Sequence, residues 1–464
     1  MTTIADLAQT LQTIMTTTAD VAARRTGFVQ RASKLTGAAF VQALVFGWLA
    51  NPHATLEALA QAAAAVGVAI SPQGLDQRCG EAAAFFLAEV LGAAVRAVVA
   101  AEPVAIPLVQ RFTAVALLDS STVVLPDALA PWWPGCGGGG ATATKAQAAL
   151  KLHVRFDLRS GALAGPLVTD GRTNDAAAPP LGAPLPPGAL RVADLGFFDL
   201  SAFKALAARG VYWLARLQFT TAVYDQDGQR GDVLALLAAT GAAEVDLPVL
   251  LGVEHRLPAR LLAVRVPPEV ATERRRRLPA RLLAVRVPPE VATERRRRLR
   301  AGARRRGRTP RAASLAWCDW TIVVTNAPAA LLSVREALVL LRARWQIELL
   351  FKLWKSHGHI DASRSAKPWR ILCEVFAKLL AMVVQHWLLL VGCWTYPDRS
   401  LVKAAQTVRA FALALACALH APPALEAALA DIQRCLAAGC RLNRRKKKPN
   451  TYQVLLDPVL LSLG

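Results

Sequence analysis

The chain has 464 residues, a formal net charge of +22 and an isoelectric point near 10.5. This length allows a large core with roughly one or two smaller domains, and the charge favours a polyanionic partner such as nucleic acid, with a biased, arginine-rich composition as the alternative. The eight cysteines include no CxxC pair followed by histidines, which excludes a zinc finger, and we expect them to be small buried hydrophobes in a reducing cytoplasm.

The N-terminal sequence MTTIADLAQTLQ carries an acidic residue and lacks the basic and apolar regions of a signal peptide, so we expect a cytoplasmic protein. Apolar spacings of three and four predict a helical domain over 1–110. Within it, a helix from Thr55, a break at Gly67 and a second helix capped by Ser71 with Pro72 at its first position form a helix-turn-helix pattern. DNA binding by this pair and simple packing in an all-helical domain are the alternatives.

Short apolar runs begin near residue 111 and end at Gly, Asp or Ser, which is typical of strands. FTAVALLDSS, AALKLHVRFDLRSG and ALAGPLVTDG predict three consecutive antiparallel strands. The run ALRVAD, a helix near 201–209 and the run VYWLARLQF then alternate strand, helix and strand. This succession predicts a mixed α/β core over 111–245 and 316–362. The glycine run PGCGGGGATATK lacks the Gly-Lys-Ser/Thr of a phosphate loop and is predicted to be a flexible loop.

A basic insertion over 246–315 separates the two parts of the predicted core. Residues 257–277 recur without change at 278–298, and two copies are too few for a solenoid, so we interpret them as a tandem duplication. RLLAVRVPP predicts a strand and VATERRRR a basic helix or loop, which makes the insertion β-rich. Its arginines favour contact with a DNA backbone, with a solvated linker as the alternative.

The run ASLAWCDWTIVVTNAP predicts one more strand, and the pattern after it is helical up to the basic tail NRRKKKPN. The helical C-terminal region is predicted at 363–464. Its segment 379–397 has no charged residue and is about long enough to span a bilayer. Gln385 and His386 at the middle, with Lys378 just upstream, make burial in lipid costly. We therefore predict a core helix and no membrane partner, with a membrane span as the alternative.

Asp119 and Asp194 each follow an apolar run that predicts a strand. Hard divalent ions such as Mg2+ are held by carboxylate oxygens that converge from separate elements, and acids at strand ends can supply them. An aspartate at a strand end also often caps a turn through its own side chain. Each residue alone is therefore weak support for a metal site.

The segment LLRARWQIELLFKLWKSHGHIDASRS is predicted to form one apolar and buried helix. At about 100° per residue, Arg344, Glu348 and Lys355 fall within roughly 40° of one another on its surface. Charges on a buried helix must be paired or bound to something. An intrahelical pair of Arg344 with Glu348 is the alternative, but it leaves Lys355 unexplained.

The spacing Arg-x3-Glu-x6-Lys in RARWQIELLFKLWK resembles the Tyr-Arg-Glu-Lys signature of DDE transposases of bacterial insertion sequences, in the group called family four. LLDSSTVV, the GRTND turn, VADLGFFDL, YWLARLQ and VTNAP occur in the family's order, and the resemblance runs from about residue 114 to 391. The chain departs from the signature at Leu341, which stands where the family has tyrosine and can neither donate a hydrogen bond to phosphate nor stack as an aromatic.

The resemblance implies a ribonuclease H-like catalytic core within the α/β fold, flanked by the N- and C-terminal helical regions. It implies Asp119, Asp194 and Glu348 as catalytic residues and as ligands of two Mg2+ ions, for which Mn2+ can substitute. Arg344 and Lys355 would hold DNA phosphates. Trp345 lies where the family stacks aromatic residues near the transposon end.

The family also implies cleavage at terminal inverted repeats, followed by attack of the freed 3′-hydroxyl on target DNA. Double-stranded DNA is then the expected partner, with a homodimer when two ends are paired and a nucleoid-associated location. Two rival functions stay open. One is an inactive copy that binds terminal repeats without cutting, and the other is a structure-selective nuclease that cuts without joining.

Overall fold

The computed structural model describes residues 1–31, 34–136, 147–242, 244–265, 289–304, 307–396, 398–442 and 450–458. The chain forms two compact units. The first unit comprises Met1–Ala105, Leu118–Pro184 and Gln346–Leu442, and the second comprises Ile106–Leu117, Leu185–Trp345 and Asn443–Gly464. The predicted domains follow changes of sequence pattern rather than contacts, so their boundaries stay predictions.

Helices dominate the N-terminal part and the part after residue 333, as the apolar spacing predicts. The α-helices of the described residues are α1 Ile4–Thr13, α2 Ala19–Arg25, α3 Gly37–Ala50, α4 Leu56–Ala65, α5 Pro72–Arg78, α6 Glu81–Arg96, α7 Pro107–Gln110, α8 Leu200–Ala208, α9 Val233–Ala239, α10 Pro289–Arg304, α11 Ala312–Ala316, α12 Val334–Ala343, α13 Trp345–Lys352, α14 Pro368–Cys393, α15 Leu401–Ala410, α16 Ala412–Ala418, α17 Pro422–Ala438 and α18 Thr451–Leu456. Two segments of π-helix, Ile14–Thr18 and Leu353–His357, follow α1 and α13.

The predicted helix-turn-helix pattern is confirmed as local structure. The side chain of Thr55 caps α4, and the side chain of Ser71 caps α5 with Pro72 in its first turn. Gly67 between them has φ of +86°, a left-handed conformation that favours glycine and ends α4.

Strands occupy the middle of the chain. They are β1 Val115–Leu125, β2 Ala148–Asp157, β3 Leu163–Asp170, β4 Leu190–Ala193, β5 Tyr212–Arg216, β6 Val223–Tyr224, β7 Arg230–Gly231, β8 Glu244–Leu251, β9 Leu257–Arg265 and β10 Trp320–Thr325. In the first unit the order is β3-β2-β1, with β2 and β3 antiparallel. The second unit contains the start of β1, and there the strand order across the sheet is β1-β4-β5-β10-β9-β8-β6-β7. Among the described strand pairs of this second series, β4 and β5 are parallel and the others are antiparallel. The sheet is therefore mixed, and together with the helices it confirms the predicted mixed α/β class.

Helix α14 forms the core of the first unit, where it packs against α3, α6 and α17. It is long and apolar enough to cross a membrane, and so is the bent pair α15 and α16 if it counts as one span, but 94% of the most apolar window of α14 is buried inside the protein. Such burial is what a core helix shows, and it agrees with the prediction made for segment 379–397.

The polar residues of α14 hold neighbouring backbone. The Lys378 ammonium donates to the carbonyls of His359 and Ala362 at 2.9 and 2.8 Å and pairs with Glu374 at 2.7 Å. Glu374 in turn accepts a hydrogen bond from the hydroxyl of Ser363 at 2.7 Å. These bonds satisfy charges that would be costly to bury unpaired, and they fix the loop that follows the π-helical segment.

The turn between β2 and β3 packs against the same helix. His386 Nε2 donates to the Gly161 carbonyl at 2.8 Å, and burial lowers the pKa of this imidazole to about 4. Gly161 has φ of +71°, and a Cβ at this position would collide with Leu390 Cδ2. The position therefore requires glycine for its backbone conformation and for the close approach to α14.

The second unit has its own hydrophobic core between strands β5, β8, β9 and β10 and helices α8 and α9. The rings of Phe203 and Trp213 stack there with centroids 4.4 Å apart. This core positions β4 and β5, since α8 packs against β5, and β5 pairs with β4.

The described part of the basic insertion contains most of β8, all of β9 and α10, and most of α11. The predicted strand of the first repeat copy is confirmed as β9, and the basic run of the second copy lies in α10. Residues 266–288, which hold the rest of the first copy and most of the second, lie outside the described residues, as do the glycine run from residue 137 and most of the basic tail. The elements β6, β7 and α9 were not predicted, because they are too short to show a period.

The arginines of α10 divide into two groups. Arg295 donates to the carbonyl of Trp320 at 2.9 Å, and Arg296 pairs with Asp319. Arg297 and Arg298 are 75% and 77% exposed and bind only Glu294 among the described ion pairs. These hydrogen bonds, chiefly the one from Arg297, lower the pKa of Glu294 to about 2. One half of the arginine run thus anchors the helix to β10, and the other faces solvent.

The prediction for the cysteines was wrong in part. All eight are free thiols, but only Cys79, Cys373 and Cys393 are buried. Cys136, Cys417 and Cys435 are exposed, because they lie at chain turns and on the outer faces of helices, where neighbouring residues leave them open to solvent.

Candidate active site

Asp119 lies inside β1 rather than at its end. The strand continues to Leu125, so the predicted strand end was wrong, because the polar residues Ser120, Ser121 and Thr122 continue the ladder. Asp119 Oδ1 accepts a hydrogen bond from the backbone N–H of Ser120 at 2.9 Å. The carboxylate is partly exposed, and it belongs to the first unit.

Asp194 directly follows β4, as predicted, and belongs to the second unit. It precedes a short 3-10 turn, Leu195–Phe197, and its side chain makes no capping hydrogen bond to that turn. The alternative of a turn-capping aspartate is therefore not supported at this position, and the carboxylate stays partly exposed.

Glu348 lies on α13, in the first unit with Asp119. The prediction of one continuous helix across this segment was wrong. Arg344 is the C-cap of α12, a new helix starts at Trp345, and the segment ends as a π-helix from Leu353. A π-helix turns by less than 100° per residue, so the predicted single stripe through Lys355 does not apply.

Lys355 links this segment to the strand of Asp119. Its ammonium donates to the Thr122 carbonyl of β1 at 2.7 Å, across 233 positions of sequence. Burial lowers the pKa of Lys355, and the nearby Asp361 opposes this shift. The two segments that carry Asp119 and Glu348 are thus joined within one unit by a direct hydrogen bond.

The apolar residues of the segment are only partly buried. Leu350 and Trp354 lie in the core, whereas Trp345 is 53% exposed and Leu349 is also exposed. The prediction of an all-round buried helix was wrong here. The exposed indole of Trp345, next to Arg344, is available to stack on a ligand. Leu341 on α12 is buried and is not available for such a contact.

A polar network that sequence reasoning missed surrounds the residue after Asp119. Asp175 Oδ1 accepts hydrogen bonds from Ser120 Oγ at 2.6 Å and from Lys151 Nζ at 2.8 Å. Lys151 also donates to the carbonyl of Thr173 at 2.9 Å. Asp175 ends the GRTND turn, and the available signal was that GRTND and LLDSS both belong to the resemblance.

Two charged residues of the helix-turn-helix pair, Asp76 and Arg78, bind partners within the first unit. Asp76 on α5 pairs with Arg370 at 2.9 Å and with Lys367 at 2.5 Å. The Arg78 guanidinium donates to the carbonyl of Phe28 at 2.9 Å and lies 4.5 Å from the centre of its ring. DNA binding by this pair stays a prediction.

The predicted metal ligands fit a hard cation by their chemistry, because all three are carboxylates with partly exposed side chains. The structure brings Asp119 and Glu348 into one unit and assigns Asp194 to the other. Among the residues that the structure describes, no group of three or more His, Cys, Asp or Glu side chains lies close enough together to hold a metal ion.

Comparison with known proteins gives consistent matches. A family model described as "Transposase DDE domain" matches residues 110–384. The transposase for insertion sequence element IS231B of Bacillus thuringiensis subsp. berliner is 26% identical over 391 residues, covering 78% of this chain and 75% of the relative. The transposase for IS231F of Bacillus thuringiensis subsp. israelensis is 26% identical over 386 residues, covering 78% and 74%. The transposase for IS1151 of Clostridium perfringens is 20% identical over 292 residues, covering 59% and 56%.

The family match covers more than half of the chain and includes Asp119, Asp194 and Glu348. It also includes the segment from Arg344 to Lys355, on which the sequence resemblance depends. This chain belongs to the DDE transposases of bacterial insertion sequences.

Proposed function

We propose that this protein cuts DNA at the terminal inverted repeats of an insertion sequence and joins the freed 3′ ends to target DNA. The observation that carries the proposal is the hydrogen bond from Lys355 to the Thr122 carbonyl. It ties the segment of Glu348 to the strand of Asp119, which are two of the three elements that the proposed carboxylate site needs. With this function we infer a ribonuclease H-like architecture for the catalytic core. We also infer that the protein is located in the cytoplasm, in association with the nucleoid.

Asp119, Asp194 and Glu348 are the residues that would hold two Mg2+ ions, or Mn2+ in their place. When bound, such ions activate water and stabilise the leaving oxygen of a phosphodiester. The three carboxylates contribute geometry and negative charge, and none of them needs to form a covalent bond to DNA. The first cut yields a 3′-hydroxyl, whose oxygen attacks a target phosphorus while the 3′ oxygen of the target strand leaves.

Double-stranded DNA is the proposed partner. Arg344 would pair with a phosphate near the cleavage point, and the exposed ring of Trp345 would stack near the transposon end. Lys355 keeps two further N–H donors beyond its bond to Thr122, which leaves it able to contact a phosphate. Two ends must be held together during joining, so we propose a homodimer on the paired ends.

A second candidate function is supported by Leu341. Its side chain is buried on α12, so it cannot replace the tyrosine of the family signature at a phosphate. A copy weakened in this way would bind terminal repeats without cutting them. The tandem duplication in the insertion points in the same direction, because an added segment can disturb folding.

The test is cleavage of labelled DNA that carries the flanking inverted repeats, with Mg2+ or Mn2+. We expect the wild-type chain to nick at the repeat boundary and Glu348→Gln to lose this activity by a factor of about 100 or more while still binding DNA. Glu254→Gln, which removes an exposed carboxylate from the second unit, is the matched control and should cut normally. Binding without cutting by every chain would contradict the transposase proposal and favour the inactive copy.

A further inference from the structure

The carboxylate of Asp175 is hydrogen-bonded to Ser120, the residue that follows Asp119. Ser120 donates its hydroxyl to Asp175 Oδ1 at 2.6 Å, while its backbone N–H donates to Asp119 Oδ1 at 2.9 Å. A single residue of β1 therefore connects the two carboxylates. A shift of the Ser120 backbone would affect both hydrogen bonds.

The local turn does not need the Asp175 side chain. Asn174 accepts a hydrogen bond from Ala176 N–H and caps the 3-10 turn in which Asp175 lies. Asp170 holds the preceding turn by accepting from the N–H groups of Arg172 and Thr173. The Asp175 carboxylate is instead directed to side chains of β1 and β2, so turn formation does not explain it.

Asp175 also neutralises a cation on the neighbouring strand. Lys151 Nζ lies 2.8 Å from the same Oδ1 atom that accepts from Ser120, and both side chains are mostly buried. His153 on β2 lies 3.9 Å from this carboxylate, with its Nε2 bonded to Thr169 Oγ1. Burial, followed by the charge of Lys151, lowers the pKa of His153, so the imidazole is neutral and Lys151 is the cation that Asp175 balances.

We propose that Asp175 is a positioning residue for the metal-binding carboxylate of Asp119, an inference that rests on the proposed function. Through Ser120 it fixes the rotamer and backbone that present Asp119. Through Lys151 it cancels a positive charge on the adjacent strand, which would otherwise repel a divalent cation. Partners of metal ligands act in this way in many metal sites, and their loss weakens metal binding by about tenfold to 100-fold.

The experiment measures binding of Mn2+ alone to the full chain, by electron paramagnetic resonance of the free ion. We expect Asp175→Asn to weaken Mn2+ binding by about tenfold, with little change in affinity for terminal-repeat DNA. Ser120→Ala should weaken Mn2+ binding by a smaller factor. The double variant should bind no more weakly than Asp175→Asn alone, since residues that act through one another are not additive.

Asp157→Asn is the matched control, because Asp157 is another aspartate of the first unit whose carboxylate, unlike that of Asp175, holds a turn through the N–H groups of Arg159 and Ser160. It should lower the melting temperature and leave Mn2+ affinity unchanged. The proposal is overturned if Asp175→Asn keeps wild-type Mn2+ affinity, or if the two substitutions add. Should Asp175→Asn fail to fold, Ser120→Ala decides alone, and unchanged Mn2+ binding there overturns the proposal. A wild-type chain that binds no Mn2+ contradicts the proposed function itself.

Discussion

Helix α14 buries a lysine and a histidine in the first unit, whereas α10 presents half of its arginine run to solvent in the second. On α14, the charge of Lys378 meets three acceptors, and His386 is held neutral. On α10, Arg295 and Arg296 have backbone or carboxylate partners, and Arg297 and Arg298 share one exposed glutamate. The difference indicates that an enclosed charge depends on its partners, so that losing one partner is destabilising, whereas an exposed charge stays available for a ligand.

The largest expected effect comes from Lys378→Met. Lys378 is 2% exposed, and its loss removes the cation that pairs with the buried Glu374 carboxylate and one donor from each of the His359 and Ala362 carbonyls. We expect the free energy of unfolding to fall by about 3 to 5 kcal/mol, measured by urea denaturation. Lys352→Met, at an exposed position, is the control and should change stability little. Equal losses in the two variants would contradict the enclosed role of Lys378.

The next effect depends on pH. Burial lowers the pKa of His386 to about 4 in the folded chain. Near pH 6.5 the unfolded chain therefore binds a proton at this histidine that the folded chain does not bind. Stability is therefore full above pH 6.5 and falls as the pH drops towards 4, by roughly 2 kcal/mol at pH 5. His386→Gln should remove this part of the pH dependence, while His420→Gln, which replaces an exposed histidine, should retain it. Parallel pH profiles for His386→Gln and the wild type would count against this assignment.

The anchoring half of the arginine run should have a smaller effect on stability. We expect Arg295→Ala with Arg296→Ala to lower the stability of the second unit by about 1 to 2 kcal/mol, because the bonds to Trp320 and Asp319 are only partly enclosed. Differential scanning calorimetry would measure it. A double variant as stable as the wild type would show that α10 does not depend on these contacts.

The smallest stability effect is expected for Arg297→Ala with Arg298→Ala, which removes the same charge from exposed positions. Stability should stay within about 0.5 kcal/mol of the wild type. DNA affinity should fall, and the slope of log affinity against log salt concentration should decrease by about 2, corresponding to two lost phosphate contacts. If the anchoring and exposed variants reduce the salt slope equally, the division of the run into two roles is wrong.

The sequence predicted the elements whose signals are local. The caps at Thr55 and Ser71, strand β4 before Asp194 and the core position of α14 all follow from residue types and spacing within one segment. The family resemblance depended mostly on one segment, because its Arg, Glu and Lys spacing is more specific than the accompanying motifs.

The remaining features depend on distant contacts. The break at Arg344 and the π-helix after Lys352 follow how the segment packs, which its apolar period does not reveal. The Asp175 network joins residues from β1, β2 and a turn, and no spacing within the sequence signals it. The full length of β1 was missed for a related reason, since β1 lies between two other strands of the sheet and its polar residues after Asp119 show no apolar pattern of a strand.

The close approach of Gly161 to α14 has an evolutionary consequence. Turns between adjacent strands are usually the places where a protein tolerates inserted residues or an attached tag. This turn is enclosed instead, with its carbonyl bonded to His386 and no room for even one methyl group beside Leu390. We therefore expect the turn between β2 and β3 to tolerate no insertion, in contrast to residues 257–298, where a 21-residue segment occurs twice.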